Sequence, residues 1–137
     1  MSLKFNLGSN FSNFKEFVPQ SDLPLYLLDA DIYIFASSCE NMPNTLLEGM
    51  SAGLPIACSD RGPMPEILKD AGVYFDPEDT QSIFNSIRTL ISDDSLREAN
   101  RIKSTLLANN YSWERCSKET WVFLRKVIKK IKTTENV

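Results

Sequence analysis

Apolar residues along this chain fall into two regimes that change over near Phe75. Before it, four short apolar runs, at 14–18, 32–36, 56–59 and 73–75, read as β-strands. Stretches with helical periodicity lie between them, at 23–29, 44–52 and 65–69. The run at 32–36, Ile-Tyr-Ile-Phe-Ala, is continuously apolar, as expected of a parallel strand covered on both faces. Strands alternating with crossovers of helical length predict an α/β layer fold with a parallel sheet of about four strands. After Phe75 the pattern is all-helical. Asp79 or Thr80 caps a helix whose Ile83, Ile87, Leu90 and Ile91 fall at core-facing spacing. A second helix covers 95–109. Ser112 caps a long third one with Trp121, Leu124, Ile128 and Ile131 on one stripe.

Composition narrows the chemistry. At 137 residues the chain is read as one unit, with an ill-defined start at 1–12, an α/β core at 13–76 and a helical part at 77–137. Met1-Ser2-Leu3-Lys4 lacks the apolar core of a signal peptide and reads partly as an expression remnant, so the expected compartment is the cytoplasm. There is no histidine, and Cys39, Cys58 and Cys116 form no CxxC pair. Zinc chemistry and Ser-His or Cys-His nucleophiles therefore lack their residues. Cys58, inside an apolar run, reads as a small core residue. Any chemistry falls to carboxylates, hydroxyls, backbone dipoles or groups outside the chain.

Charge is divided unevenly. Residues 1–100 carry 6 Lys/Arg against 15 Asp/Glu, a net of −9, and residues 101–137 carry 9 against 3, a net of +6. That distribution does not describe a nucleic-acid binder. It does describe a chain with a basic terminal helix, a feature compatible with an anionic membrane surface.

In an open parallel sheet, ligands bind beyond the carboxyl ends of the strands. The stretch 37–43 lies there, after the strand at 32–36. Pro43 suits a first helical position and Gly53 the position just past the helix end, which makes the helix between them short. Its first amides, on Asn44, Thr45 and Leu46, suit a phosphate, since they join unpaired donors to the positive end of the helix dipole. Glu48, four residues beyond Asn44, returns to that face, and an ionised carboxylate accepts the hydrogen bonds of a ribose diol. Glu40 precedes the helix and faces what lies beyond the phosphates. Taken alone, Glu48 reads equally well as a solvated surface glutamate, and Glu40 as a partner for the helix dipole. Glu66 reads at least as well as a favourable first-turn acid as it does as a substrate contact.

The stretch "CENMPNTLLEGMSAGLPIACSD" resembles the E-x7-E signature of retaining glycosyltransferases with the GT-B fold, of the large family 4 type. "FVPQSDLPLYLLDADIYIFAS", "RGPMPEILKDAGVYFDPED" and "YSWERCSKET" resemble the segments that flank this signature, so the likeness runs from about residue 13 to 124. It implies a partial Rossmann-like sheet, the GT-B C-terminal domain, with flanking helices and a helical C-terminus. It implies that Glu40 contacts the transferred sugar and Glu48 the ribose. The amides of Asn44, Thr45 and Leu46 would bind the donor diphosphate, with Asn41 and Pro43 in the same loop, and Phe17 and Val18 would lie against the base. No metal or other cofactor is expected, because in this family the protein carries the charge of the leaving diphosphate.

The resemblance also marks what is missing. The family's donor domain opens with two βα units bearing an Arg and a Lys that grip the diphosphate; nothing here matches them, and Gly8-Ser9-Asn10 is not such a loop. Their strands belong between those at 14–18 and 32–36. We therefore expect residues 14–18 to move in and pair with 32–36, or another chain to fill the edge, as in a homodimer. The implied function is the donor-binding half of a glycosyltransferase using a nucleotide-diphosphate sugar, a fragment or one part of a split enzyme, inactive alone. The acceptor would sit on a missing N-terminal domain or a partner subunit. The alternatives are a non-catalytic nucleotide-binding or assembly module and, against the signature, a nucleotide-sugar epimerase. In GT-B proteins the last helix crosses back to the other domain, which explains its apolar stripe more simply than contact with the inner face of the membrane.

Overall fold

The structure, a computed structural model, describes residues 14–134. The readings placed on 1–12, including Gly8-Ser9-Asn10, lie outside them. In chain order the elements are α1 (Leu23–Leu28), β1 (Tyr33–Phe35), α2 (Asn44–Ser51), β2 (Ile56–Ser59), α3 (Met64–Leu68), β3 (Gly72–Phe75), α4 (Thr80–Ser92), α5 (Asp94–Ala108) and α6 (Trp113–Thr134). The three strands form one parallel sheet in the order β1-β2-β3. Tyr33 stands opposite Ile56, and Ile56 opposite Gly72.

Each face of the sheet has its own core. Phe35, Leu46, Met50, Ile56, Cys58, Met64, Leu68 and Ala108 pack together on one face, under α2, α3 and α5. Ala57, Phe75 and Leu90 pack on the other, with Ile83 and Ile87 of α4 against them. β2, with neighbours on both sides and cover on both faces, is buried at all four positions. Cys58 is in this core as expected, and burial pushes its thiol up to about 12. Side-chain caps close the N-termini of the last three helices, whereas Asp22 before α1 makes none. Asp79 accepts from the Gln81 N–H at 2.9 Å, Asp93 from Leu96 at 2.8 Å, and Ser112 from Arg115 at 3.1 Å.

Three expectations need correcting. The described sheet has three strands, because residues 14–18 form no strand. Phe14 is 87% and Phe17 80% exposed, and the segment does not pair with β1. Apolar residues in extended order become a strand only when a neighbour takes up their backbone groups, and this segment lacks that neighbour. For the same reason β1 is not covered on both faces. Ile34 shares the face of Ala57 and Val73, but α4 packs over β3 and β2, and Ile34 remains 46% exposed. Lastly, Ile91 stands 61% exposed, one position beyond the stripe that Ile83, Ile87 and Leu90 turn to the sheet.

Candidate functional site

The carboxyl edge of the sheet is built from three loops that hold one another. After β1 the chain runs through 36–43, where the Ser37 hydroxyl donates to the Cys39 carbonyl at 3.3 Å. After β2 it turns at Gly62, whose φ of 51° suits glycine. A Cβ built on Gly62 would meet the Glu40 carbonyl oxygen at 3.9 Å, so the first two loops are in contact. Arg61 joins the second loop to the third, donating to Asp76 at 2.8 Å with Asp60 beside it at 3.4 Å. The Glu78 N–H and this guanidinium together hold the Asp76 carboxyl below the usual carboxylate range.

Within the first loop the entry to α2 is unusually tight. Pro43 has φ −79° and ψ 78°, and the Asn44 N–H donates to the Met42 carbonyl at 2.9 Å, an inverse γ-turn. Pro43 is therefore the N-cap of α2, one position before the first helical residue it was expected to be, and its ring is fully buried. Its carbonyl accepts from the Leu46 and Leu47 N–H groups at 3.1 and 3.2 Å. The three amides expected to face a ligand thus narrow to one: among the described residues only Thr45, of Asn44, Thr45 and Leu46, has an N–H with no partner. Leu46 is wholly buried by its side chain, while Asn41, Asn44 and Thr45 are exposed. Glu40 and Glu48 are half-buried at either end of this turn.

Tyr33 fixes that turn from below, a role the sequence reading missed. Its hydroxyl donates to the Thr45 carbonyl at 3.1 Å, which holds the first turn of α2 against β1. Burial raises its phenol above the ordinary range, and the nearby charge of Glu48 adds to the rise. Gly49 makes the approach possible, since a Cβ there would come within 2.6 Å of the Tyr33 ring. One signal was legible: a hydroxyl-bearing tyrosine in an otherwise wholly apolar run, with a glycine inside the following short helix. Gly53, with φ 71°, ends α2 as expected.

Phe17 and Val18 are not brought to this turn by any hydrogen bond or ion pair among the described residues. Val18 is half-buried and Phe17 exposed in irregular chain ahead of α1. Glu66 lies in the first turn of α3, exposed, where its charge suits the helix dipole. Two surface depressions, of about 610 and 460 Å³, lie elsewhere, one along α6 and the other between Leu27–Asp31 and the start of α5. The loop edge carries exposed Asn41, Asn44 and Thr45 beside the two glutamates. At that edge stand one unpaired amide at a helix N-terminus and two half-buried glutamates, Glu40 and Glu48.

Comparison with known proteins bears on this edge. The family model "Glycosyl transferases group 1" matches residues 2–105. The chain is 36% identical to the O-antigen chain mannosyltransferase B of Escherichia coli over 76% of its own length and 27% of that protein's. It is 28% identical to a sulfoquinovosyl transferase of Arabidopsis thaliana, over 61% of this chain and 17% of the other. A sucrose-phosphate synthase of Thermosynechococcus elongatus superposes on 86% of the chain with a TM-score of 0.76 and 17% identity, across 30% of its own length. The chain thus spans less than a third of each of these proteins. The last likeness carries the fold, a GT-B Rossmann-like layer.

Proposed function

Because the chain belongs to the glycosyl transferases group 1 family, we propose that it is the donor-binding half of a glycosyltransferase. The donor is a nucleotide-diphosphate sugar, and the transfer proceeds with retention of configuration. The observation that carries this reading is the α2 entry: an unpaired Thr45 N–H at a helix N-terminus, on the ligand edge of a parallel sheet, between two half-buried glutamates.

The proposed geometry assigns each group one task. A diphosphate oxygen takes the Thr45 N–H and the positive end of α2. Glu48 accepts from the ribose hydroxyls and Glu40 from those of the sugar. Charge builds on the diphosphate as the sugar–phosphate bond breaks, and a donor fixed by Tyr33 before reaction stabilises that charge without reorganising. One amide and one helix end supply only part of such stabilisation. The remaining cations belong to the two βα units that open the family's donor domain, and the acceptor surface to a further domain or a partner subunit; the open β1 edge is where additional chain, a second copy included, would join the sheet.

Titration of the chain with UDP-, GDP- and ADP-sugars tests the reading. We expect weak binding of one of the three, lost in Glu48→Ala and reduced in Glu40→Ala, without sugar transfer. Binding that both variants retain would remove the two carboxylates from the site.

A further inference from the structure

The three loops at the carboxyl edge are unequally held. Loop 76–79 is set on α4: the Asp76 N–H donates to the Ser82 hydroxyl at 3.1 Å, and the Asp76 carboxylate and carbonyl take up the Glu78 and Asp79 N–H groups at 3.0 and 3.1 Å. Loop 60–63 is tied to β3 and to that loop, by the Asp60 N–H on the Phe75 carbonyl at 2.9 Å and by the Arg61 guanidinium on Asp76 at 2.8 Å. Residues 37–43 have no such anchor among the described residues. Their hydrogen bonds stay within the loop or run into the start of α2. Glu40 is nonetheless half-buried, and its carbonyl oxygen faces the Gly62 turn.

Arg61 is the one basic residue in these loops, against Glu40, Asp60, Asp76, Glu78 and Asp79. Its N–H donates to the buried Ser59 hydroxyl at 3.2 Å, and its guanidinium spans Asp60 and Asp76 at 3.4 and 2.8 Å. An exposed pair of this kind adds little to stability. What it does fix is placement. With backbone and guanidinium both held, Gly62, next in sequence, is kept against Glu40. Asp76 follows β3 and Glu40 follows β1, so the two lie on opposite sides of β2. A guanidinium committed to carboxylates on one side is poorly disposed to grip an anion on the other, and well disposed to hold the turn between them.

We propose that Arg61 is a positioning residue for Glu40: bridged to Asp76, it holds the Gly62 turn against the Glu40 carbonyl and so fixes the carboxylate that accepts from the donor's sugar hydroxyls. Arg61 itself touches no part of the donor, and its role rests on the donor-binding reading above. Loss of the bridge frees Glu40 without moving Thr45, whose turn is held separately by the Tyr33 hydroxyl and by the Pro43 carbonyl. The consequence is selective. Recognition of the sugar suffers, and binding of the diphosphate does not.

The test is titration of the full chain with UDP-glucose, GDP-mannose and ADP-glucose, each beside free UDP, GDP or ADP, in about 0.5 M salt to screen exposed charges. For the nucleotide that binds, Arg61→Ala should weaken the nucleotide sugar roughly fivefold and leave the free diphosphate within about twofold. Combined with Glu40→Ala it should cost nothing further, since its effect passes through Glu40. A second readout needs no ligand: ¹⁵N order parameters of Glu40 and Asn41 fall in Arg61→Ala and in Asp76→Ala, while those of Leu46 and Leu47 hold. The pair is exposed, so circular dichroism of both variants should match the wild type. Unchanged order parameters at Glu40 and Asn41 would overturn the proposal. So would an additive loss in the double variant, or equal losses for nucleotide sugar and free diphosphate, which would put the guanidinium on the diphosphate itself. If the wild type binds no nucleotide while the order parameters still fall, the donor reading fails and the hold on Glu40 stands.

Discussion

The two flanks of the sheet differ sharply. At the β3 flank, α4 lays Ile83, Ile87 and Leu90 over Phe75 and Ala57, and Phe75 is only 2% exposed. At the β1 flank, Ile34 is 46% exposed, and nearby in sequence Leu25, Leu28 and Phe17 are 69%, 74% and 80% exposed. Both flanks are comparably apolar in sequence, so hydrophobicity alone did not decide which became core. What separates them is a neighbour: β3 is followed by a helix long enough to return over the sheet, and among the described residues β1 has no strand beyond it. Apolar surface stabilises a fold only where something else is present to bury it.

The largest effect should come from truncating one residue on each flank. Leu90→Ala is expected to cost about 2–5 kcal/mol in chemical denaturation. Leu25→Ala should stay within about 0.5 kcal/mol. Equal losses at the two positions would mean that the β1 flank is covered in solution, by a second copy or by the segment at 14–18, and would break the comparison.

A smaller effect should appear with acid at the β3 flank. The Glu78 N–H and then Arg61 depress the Asp76 pKa in the fold, so the stability it contributes is present above the ordinary aspartate range of about 4 and is lost as pH falls through its lower folded value. Melting temperature should therefore fall on acidification below about pH 4. Asp76→Asn should fall less steeply over the same window. Parallel curves for wild type and variant would show that this exposed pair adds nothing to the fold.

The same contrast explains what could be read from the sequence. β2 was legible to the residue and β3 to within one, because each has the neighbours that its apolar run implies. Helix caps at Asp79 and Ser112 were legible because capping is local chemistry. The run at 14–18 misled because its pattern of apolar residues carries no information on whether a partner strand is there. At the site, the motif nominated Glu40, Glu48 and the amides between them. It could not reveal that the γ-turn at Pro43 takes up the Asn44 N–H, or that the Pro43 carbonyl takes up that of Leu46. Hydrogen-bond occupancy depends on φ and ψ, and "MPNT" does not specify them. Tyr33 was overlooked because its partner, the Thr45 carbonyl, lies 12 residues away.

The central claim is that the Thr45 N–H meets a donor diphosphate at the start of α2. The most direct measurement follows backbone amide shifts in a ¹⁵N-labelled chain as the nucleotide sugar is added. The account predicts that Thr45 moves furthest downfield, with Glu48 perturbed at the same ligand concentrations and the β3 flank unmoved. Saturable binding that leaves the Thr45 amide where it was would contradict it.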